Sequence, residues 1–286
     1  RWGRGHETYG EDPYLAGVLG TAFVKGMQGD GKYRKTDATL KHFAVHSGPE
    51  GIRHSFNSVV SEKDLRETYL WAFKYCIDNA EPAAVMGAYN RLNGEPCCGS
   101  KTLLQDILCD EWGFDGYIVS DCGAVCDFHT HHRVTEDAAE LAVNNGCIMN
   151  CGAEYAYLIA AIARGLVSEE TITKAVEKLF EARYRLGMFD DDCEYNDIPL
   201  DVIECKEHME TNLKLAQESV VLLKNDGILP LKGTEHIAVI GPNADDVSVL
   251  LGNYNGTPSR YSTILKGIQD KASGHITYAK GCDISN

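Results

Sequence analysis

The chain has 286 residues, 44% hydrophobic and 24% charged, with 42 acidic against 27 basic side chains and a formal net charge of −15. This composition excludes collagen and disorder, and without a run of about 18 apolar residues a membrane partner is not expected. The acidic balance leaves no basic face to follow phosphates, which argues against nucleic acid.

At roughly 100 to 200 residues per domain, the length suits one large α/β domain, or one domain and part of another. The chain opens at Arg1 without an initiator Met and closes at Asn286 without a terminal signal, so an internal piece of a longer protein is expected.

Asp12 and Pro13 form an N-cap and N1 pair, and Leu15, Val18, Leu19, Ala22 and Phe23 then share one helical face. Thr39 to Val45 reads as a strand. Ser61 with Asp64 resembles a capping box opening a helix through Leu65, Leu70, Phe73 and Ile77. Phe23, Trp71 and Phe73 are assigned to the core. A strand near Ala84 to Tyr89, a helix over Thr102 to Trp112, a strand at Tyr117 to Ser120, a helix over Glu136 to Asn144 and a short strand at Ile148 and Met149 follow. Strands recurring about every 30 residues are the βα period of a parallel sheet or barrel.

Ser168 opens a further helix through Ile172, Val176, Leu179, Phe180 and Arg183, closed by Gly187. Asp190, Asp191, Asp192, Glu194, Asn196, Asp197 and Pro199 then make an acidic, turn-rich linker of solvated charge. A helix over Glu207 to Leu223 leads to Ile237 to Asn243, an apolar strand ending in a turn. The expected division is a barrel-like domain over 1–188, linker and bridging helix over 189–231, and the beginning of a second α/β domain over 232–286.

Eleven cysteines is a high, odd number without the spacing of a small disulfide framework, so free thiols filling space as small apolar residues are expected. Free thiols favour the cytoplasm, with periplasmic or secreted placement open because a leader would lie upstream. Cys122 and Cys126, and Cys147 and Cys151, have CxxxC spacing but no tight knuckle with a His pair, so no metal is assigned.

In a parallel barrel the reactive groups gather at the carboxyl ends of the strands, where the βα loops open. Those ends carry Lys41 and His42, Tyr89 and Asn90, Ser120 and Asp121, and Asn150 and Cys151, with Arg4 and Arg53 in nearby loops. One carboxylate among cationic and hydroxyl donors suits binding a polyhydroxylated ring and attacking its anomeric carbon, and the cations keep Asp121 ionised as a nucleophile requires. An Asp at a strand end also serves as a loop cap, and Lys41 with His42 also fits a surface pair.

The residues resemble glycoside hydrolase family 3, most of all its bacterial β-glucosidase and β-xylosidase members, over nearly the whole chain. Arg1 to Pro13 is similar to the family's Trp-Gly-Arg…Glu…Glu-Asp-Pro signature. Leu40 to Phe43 matches its Lys-His-Phe strand end, Gly87 to Gly94 its Tyr-Asn…Asn-Gly loop, and Val119 to Asp121 its nucleophile motif. Four such motifs in the family's order are specific where one alone is weak.

The resemblance implies a partial (β/α)8-type barrel followed by the start of an α/β sandwich, with no cofactor. It also implies retaining hydrolysis of terminal β-linked glucose or xylose, from oligosaccharides or from aryl and alkyl glycosides. Asp121 would be the nucleophile. Arg4, Lys41, His42 and Arg53 would hold the hydroxyls of the terminal sugar, Tyr89 would stand beside Asp121, and Glu7 would either orient these cations or form a salt bridge near a helix start.

Typical members take their acid/base Glu from the second domain, here beyond Asn286, so this chain by itself would be catalytically incomplete. Many xylosidase-like members carry an Asp where this chain has Ile148. The loop after Lys41-His42-Phe43 lacks the Asp-x-His pair of the N-acetylglucosaminidase branch, and His46 and His54 are expected to shape the pocket or bond backbone. The alternatives are a non-catalytic sugar-binding module and a Schiff-base lyase using Lys41, which would have to be desolvated.

Overall fold

The computed structural model describes Gly5 and residues 8–134, 137–252 and 254–284, which fall into two compact units, 1–199 and 200–286. In the first unit α1 (Pro13–Gln28) starts where Asp12 accepts from the N–H groups of Tyr14 and Leu15. The sheet consists of β1 (Thr39–Phe43), β2 (Ala84–Gly87), β3 (Tyr117–Ser120) and β4 (Cys147–Met149). All its neighbours are parallel and follow chain order. Sequential order without a reversal is the arrangement of a (β/α) barrel rather than of a doubly wound sheet, and these four strands form an arc of one.

Helices fill the crossovers: α2 (Trp71–Ala80), a π-type helix at Lys101–Glu111, α3 (Ala138–Asn144), and, after β4, α4 (Leu158–Ala163) and α5 (Glu169–Arg185). Ser61 caps the turns leading to α2 by accepting from Asp64 N–H, as its spacing from Asp64 indicated. Inside the sheet the core is closed by Phe43, Val85, Leu103, Leu104, Leu108 and Phe128, with Phe43 edge-on to Phe73 and Trp112. Gln28, buried at the end of α1, sets where two strands begin. Its amide oxygen accepts from Ala38 and Ala83 N–H while its amide donates to Glu81 carbonyl.

Helix α1 does not bury the face its hydrophobic spacing suggests. Leu15, Leu19 and Phe23 are exposed, Phe23 by 58%, while Gly17, Val24 and Gln28 are buried. The reason is close approach: a Cβ on Gly17 would lie 3.0 Å from the Tyr75 ring and one on Gly20 2.9 Å from Cys76 Sγ, so α1 meets α2 along a glycine stripe. Trp71 is half-buried, stacked on Tyr75 and beside Tyr14, and Phe73 packs against the core.

The acidic stretch after α5 is not simply solvated. Tyr33 hydroxyl donates to Asp190 at 2.7 Å and Cys193 is buried, so the turns lie on the first unit.

In the second unit α6 (Lys206–Glu218) is shorter than expected, ending before Val220 and Val221, whose β-branched side chains are poor helix formers. Val220 to Leu223 is an exposed apolar run. β5 (Ile237–Ile240) pairs in parallel with β6 (Ile276–Ala279), and α7 (Ile264–Lys271) supplies Leu265 and Ile268 to a small core with Val239 and Ala244.

Gly87 closes β2 directly beside the Asp121 backbone, whose N–H donates to Gly87 carbonyl at 3.2 Å. A Cβ there would lie 2.6 Å from Cys98 Sγ and 3.2 Å from Cys98 Cα, both in the core. Gly87→Ala is expected to lower unfolding stability by about 1–3 kcal/mol, the usual cost of overpacking. Urea denaturation measures it, and adding Cys98→Ala should recover part of the loss.

Candidate active site

The carboxyl ends of β1, β2 and β3 bring His42, Tyr89 and Asp121 together. Asp121 follows β3 and is buried. His42 Nε2 donates to its Oδ2 at 3.2 Å, Cys122 N–H donates to its Oδ1 at 2.7 Å, and Tyr89 hydroxyl is hydrogen-bonded to the same carboxylate. Burial is the largest single influence on Asp121 and raises its pKa. The hydrogen bond and charge of His42, with the Cys122 and Tyr89 donors, outweigh it and hold the carboxyl below its ordinary range. The Tyr89 phenol is pushed well up, by burial first and then by the Asp121 charge, so it remains a donor.

Arg53 stands in the loop after β1, its guanidinium 5.3 Å from the centre of the Tyr89 ring and its Nη1 donating to Glu50 at 2.8 Å. Lys41, adjacent to His42 on β1, is exposed. A Schiff-base lysine requires desolvation, which this position does not supply. Arg4 and Glu7 lie outside the described residues.

Three further contacts hold these loops, and spacing along the chain gave no signal for any of them. Asn90, fully buried, donates to Ala44 carbonyl and Ser58 Oγ and accepts from His46 Nδ1 at 3.0 Å. Ser120 Oγ donates to Asn150 Oδ1 at 3.0 Å and accepts from Cys151 N–H at 2.9 Å, joining the ends of β3 and β4. His54 Nδ1 meets Asp127 Oδ2 at 2.7 Å. His46 and His54 were expected to shape the pocket or bond backbone; both rings lie beside the Tyr89 ring, and His46 bonds the Asn90 side chain and His54 those of Arg53 and Asp127.

The cysteines close in space are not the CxxxC pairs. Cys122 and Cys151, both exposed and from different loops, have Sγ atoms 2.8 Å apart, and that contact is the main reason the Cys151 thiol is raised. All eleven cysteines are free, five of them buried. Among the described residues no group of three or more His, Cys, Asp or Glu side chains could hold a metal ion, and no helix is long and apolar enough to cross a membrane. A hollow lined by Arg34, Tyr117, Lys178 and Arg185 lies at the amino ends of β2 and β3, where Lys178 is already paired with Asp115 and Arg185 with Glu181.

A buried carboxylate at the carboxyl end of a barrel strand, its pKa kept below the ordinary value beside an imidazole and a phenol, is chemically able to act as a nucleophile. Residues 1–182 match the glycosyl hydrolase family 3 N terminal domain and residues 220–283 the family's C-terminal domain. The chain belongs to glycoside hydrolase family 3.

It is 48% identical over its whole length to a xylan 1,4-beta-xylosidase of Xylanibacter ruminicola, covering 34% of that protein, and 38% identical over 99% of its length to a beta-xylosidase/alpha-L-arabinofuranosidase of Medicago sativa, covering 38%. An exo-beta-xylosidase solved with a xylobiose aziridine probe superposes with a TM-score of 0.93 at 33% identity, over 100% of this chain and 39% of that one. A beta-glucosidase from Listeria innocua solved with isofagomine gives 0.88 at 30%, over 100% and 42%. The chain thus spans a little over a third of the length of the curated relatives it matches.

Burial pushes the His46 imidazole down to about 4, against the opposing hydrogen bond to Asn90. A base with a lowered folded pKa is neutral in both states above about 6.5, and as pH falls toward 4 the unfolded chain takes the proton first. Asp121, lowered in the fold, likewise contributes stability at neutral pH that is lost as pH falls through its folded pKa. From His46 the melting temperature is therefore expected to fall between pH 6.5 and 4, with the Asp121 loss following below 3.8, and His46→Gln, which keeps a donor toward Asn90, should flatten the fall above pH 4 in thermal scans.

Proposed function

We propose that this chain carries the nucleophile side of a retaining exo-β-glycosidase acting on terminal β-linked xylose or glucose, with β-linked oligosaccharides and aryl or alkyl glycosides as substrates. The observation that carries the reading is the Asp121 carboxylate, buried yet held ionised by His42, Cys122 N–H and Tyr89.

A carboxylate oxygen of Asp121 attacks the anomeric carbon as the bond from that carbon to the leaving oxygen breaks, giving a glycosyl ester on Asp121. Water then takes the sugar from the ester, its hydroxyl going to the anomeric carbon and its proton to the base. The charge on Asp121 is consumed in the first step and restored in the second. His42 and Tyr89 thus hold it ready without competing for the bond, and Lys41, Arg53 and His42 present donors to the sugar hydroxyls. Retaining chemistry needs a second carboxyl group about 5 to 5.5 Å from the first, to protonate the leaving oxygen and later activate water. The family resemblance assigns it to a Glu beyond Asn286.

Xylose is the first choice of sugar, supported by the 48% identical relative and by the xylobiose-probe structure. Glucose is supported by the beta-glucosidase neighbours.

The test uses the full-length protein and its Asp121→Asn variant, each incubated with 2-fluoro-xylosyl and 2-fluoro-glucosyl donors bearing a dinitrophenyl leaving group, which departs without acid assistance. Intact mass and peptide mapping should place a glycosyl adduct on Asp121 and none on the variant, with the faster donor naming the sugar. A folded protein that binds the donors but forms no adduct would remove the nucleophile and favour a sugar-binding module.

A further inference from the structure

Arg53, a cation of the proposed sugar site, is oriented by contacts at two of its nitrogens. Its Nε–H donates to His54 Nε2 at 3.2 Å. An arginine nitrogen can only donate, so His54 Nε2 carries a lone pair and the ring proton is on Nδ1. That Nδ1–H donates to Asp127 Oδ2 at 2.7 Å.

Asp127 is buried, and its other oxygen lies 3.7 Å from His131 Nε2. It opens a one-turn helix, Asp127–Thr130, reached by the loop that begins at Asp121, and its backbone N–H donates to Gly123 carbonyl. From the same segment His132 Nε2 meets His54 carbonyl at 2.8 Å. The loop after β3 therefore fixes both the ring and the backbone of His54. Glu50 takes one Nη1 hydrogen of Arg53, the Tyr89 ring lies beside the guanidinium, and among the described residues none accepts from Nη2.

We propose that Asp127, acting through His54, is a positioning residue that fixes the tautomer of His54 and thereby aims the Nη2 edge of Arg53 at a hydroxyl of the terminal sugar. The inference rests on the reading that Arg53 binds the sugar. A half-exposed arginine loses much of its rotamer freedom when it clasps a ligand, and a side chain already held at Nε and Nη1 has less left to lose. The carboxylate matters because it can only accept. In Asp127→Asn the amide can turn its NH₂ toward Nδ1, which moves the ring proton to Nε2 and replaces the acceptor for Arg53 with a second donor.

The experiment is a double-mutant cycle in the full-length protein: Asp127→Asn, Arg53→Met and the pair, assayed on p-nitrophenyl β-xyloside and β-glucoside, with melting temperatures recorded. A hydrogen bond from a charged donor kept in both ground and transition states shows in KM. Asp127→Asn is therefore expected to raise KM about tenfold or more with kcat nearly unchanged, and to have no further effect once Arg53→Met is present.

The proposal is overturned by a fall in kcat at constant KM, by an equal loss in both backgrounds, or by a silent Asp127→Asn where Arg53→Met is damaging. Arg53→Met leaving kcat/KM intact would instead bring down the reading of Arg53 as a sugar ligand, and the proposal with it. Should Asp127→Asn lose its melting transition, His54→Leu removes the same acceptor and is read by the same cycle.

Discussion

A carboxylate buried at the end of a strand must be held charged by its neighbours or it takes up a proton, and the geometry around Asp121 meets that constraint. Burial favours the neutral acid, and one imidazole, one phenol and one backbone N–H reverse the preference. Each donor comes from a different place: His42 from β1, Tyr89 from the end of β2, and the N–H from Cys122, the next residue along the chain. The three can meet because parallel strands in sequential order bring their carboxyl ends to one rim.

The rim is built of loops, which have few ladder hydrogen bonds to hold them, and side chains supply the missing rigidity. Asn90 ties the β2 end to Ala44 and Ser58, Ser120 ties β3 to Asn150 and Cys151, and Asp127 with His132 ties the loop after β3 to the loop after β1. Each tie buries a polar group that would be costly unpaired, so each favours one loop arrangement over others. Beneath them Gln28 aligns the starts of β1 and β2, so strand register and rim geometry are set from opposite ends of the same strands.

Much of this was legible in the residues. The capping pairs Asp12-Pro13 and Ser61…Asp64 and the βα period located the helices and the order of strands, because caps and periodicity are local properties. His42, Tyr89 and Asp121 were placed together by a rule of topology alone. The errors share one cause. The apolar spacing of Leu15, Leu19 and Phe23 identified a helix but not its buried side, since the approach of α1 to α2 is decided by what Gly17 and Gly20 leave out. The reading of the cysteines as free thiols holds, while the approach of Cys122 to Cys151 across two loops had no counterpart in their spacing.

The sequence by itself determined the alternation of elements, the family and the carboxylate that stands at a strand end, because these follow from residue types and their order. Only the tertiary structure decided how that carboxylate is kept ionised, which nitrogen of His54 bears its proton, and which cation is held in place. Those depend on distances between residues such as His54 and Asp127, 73 positions apart. Hydrogen bonding falls away within fractions of an ångström, and such distances exist only once the sheet has brought its loops together.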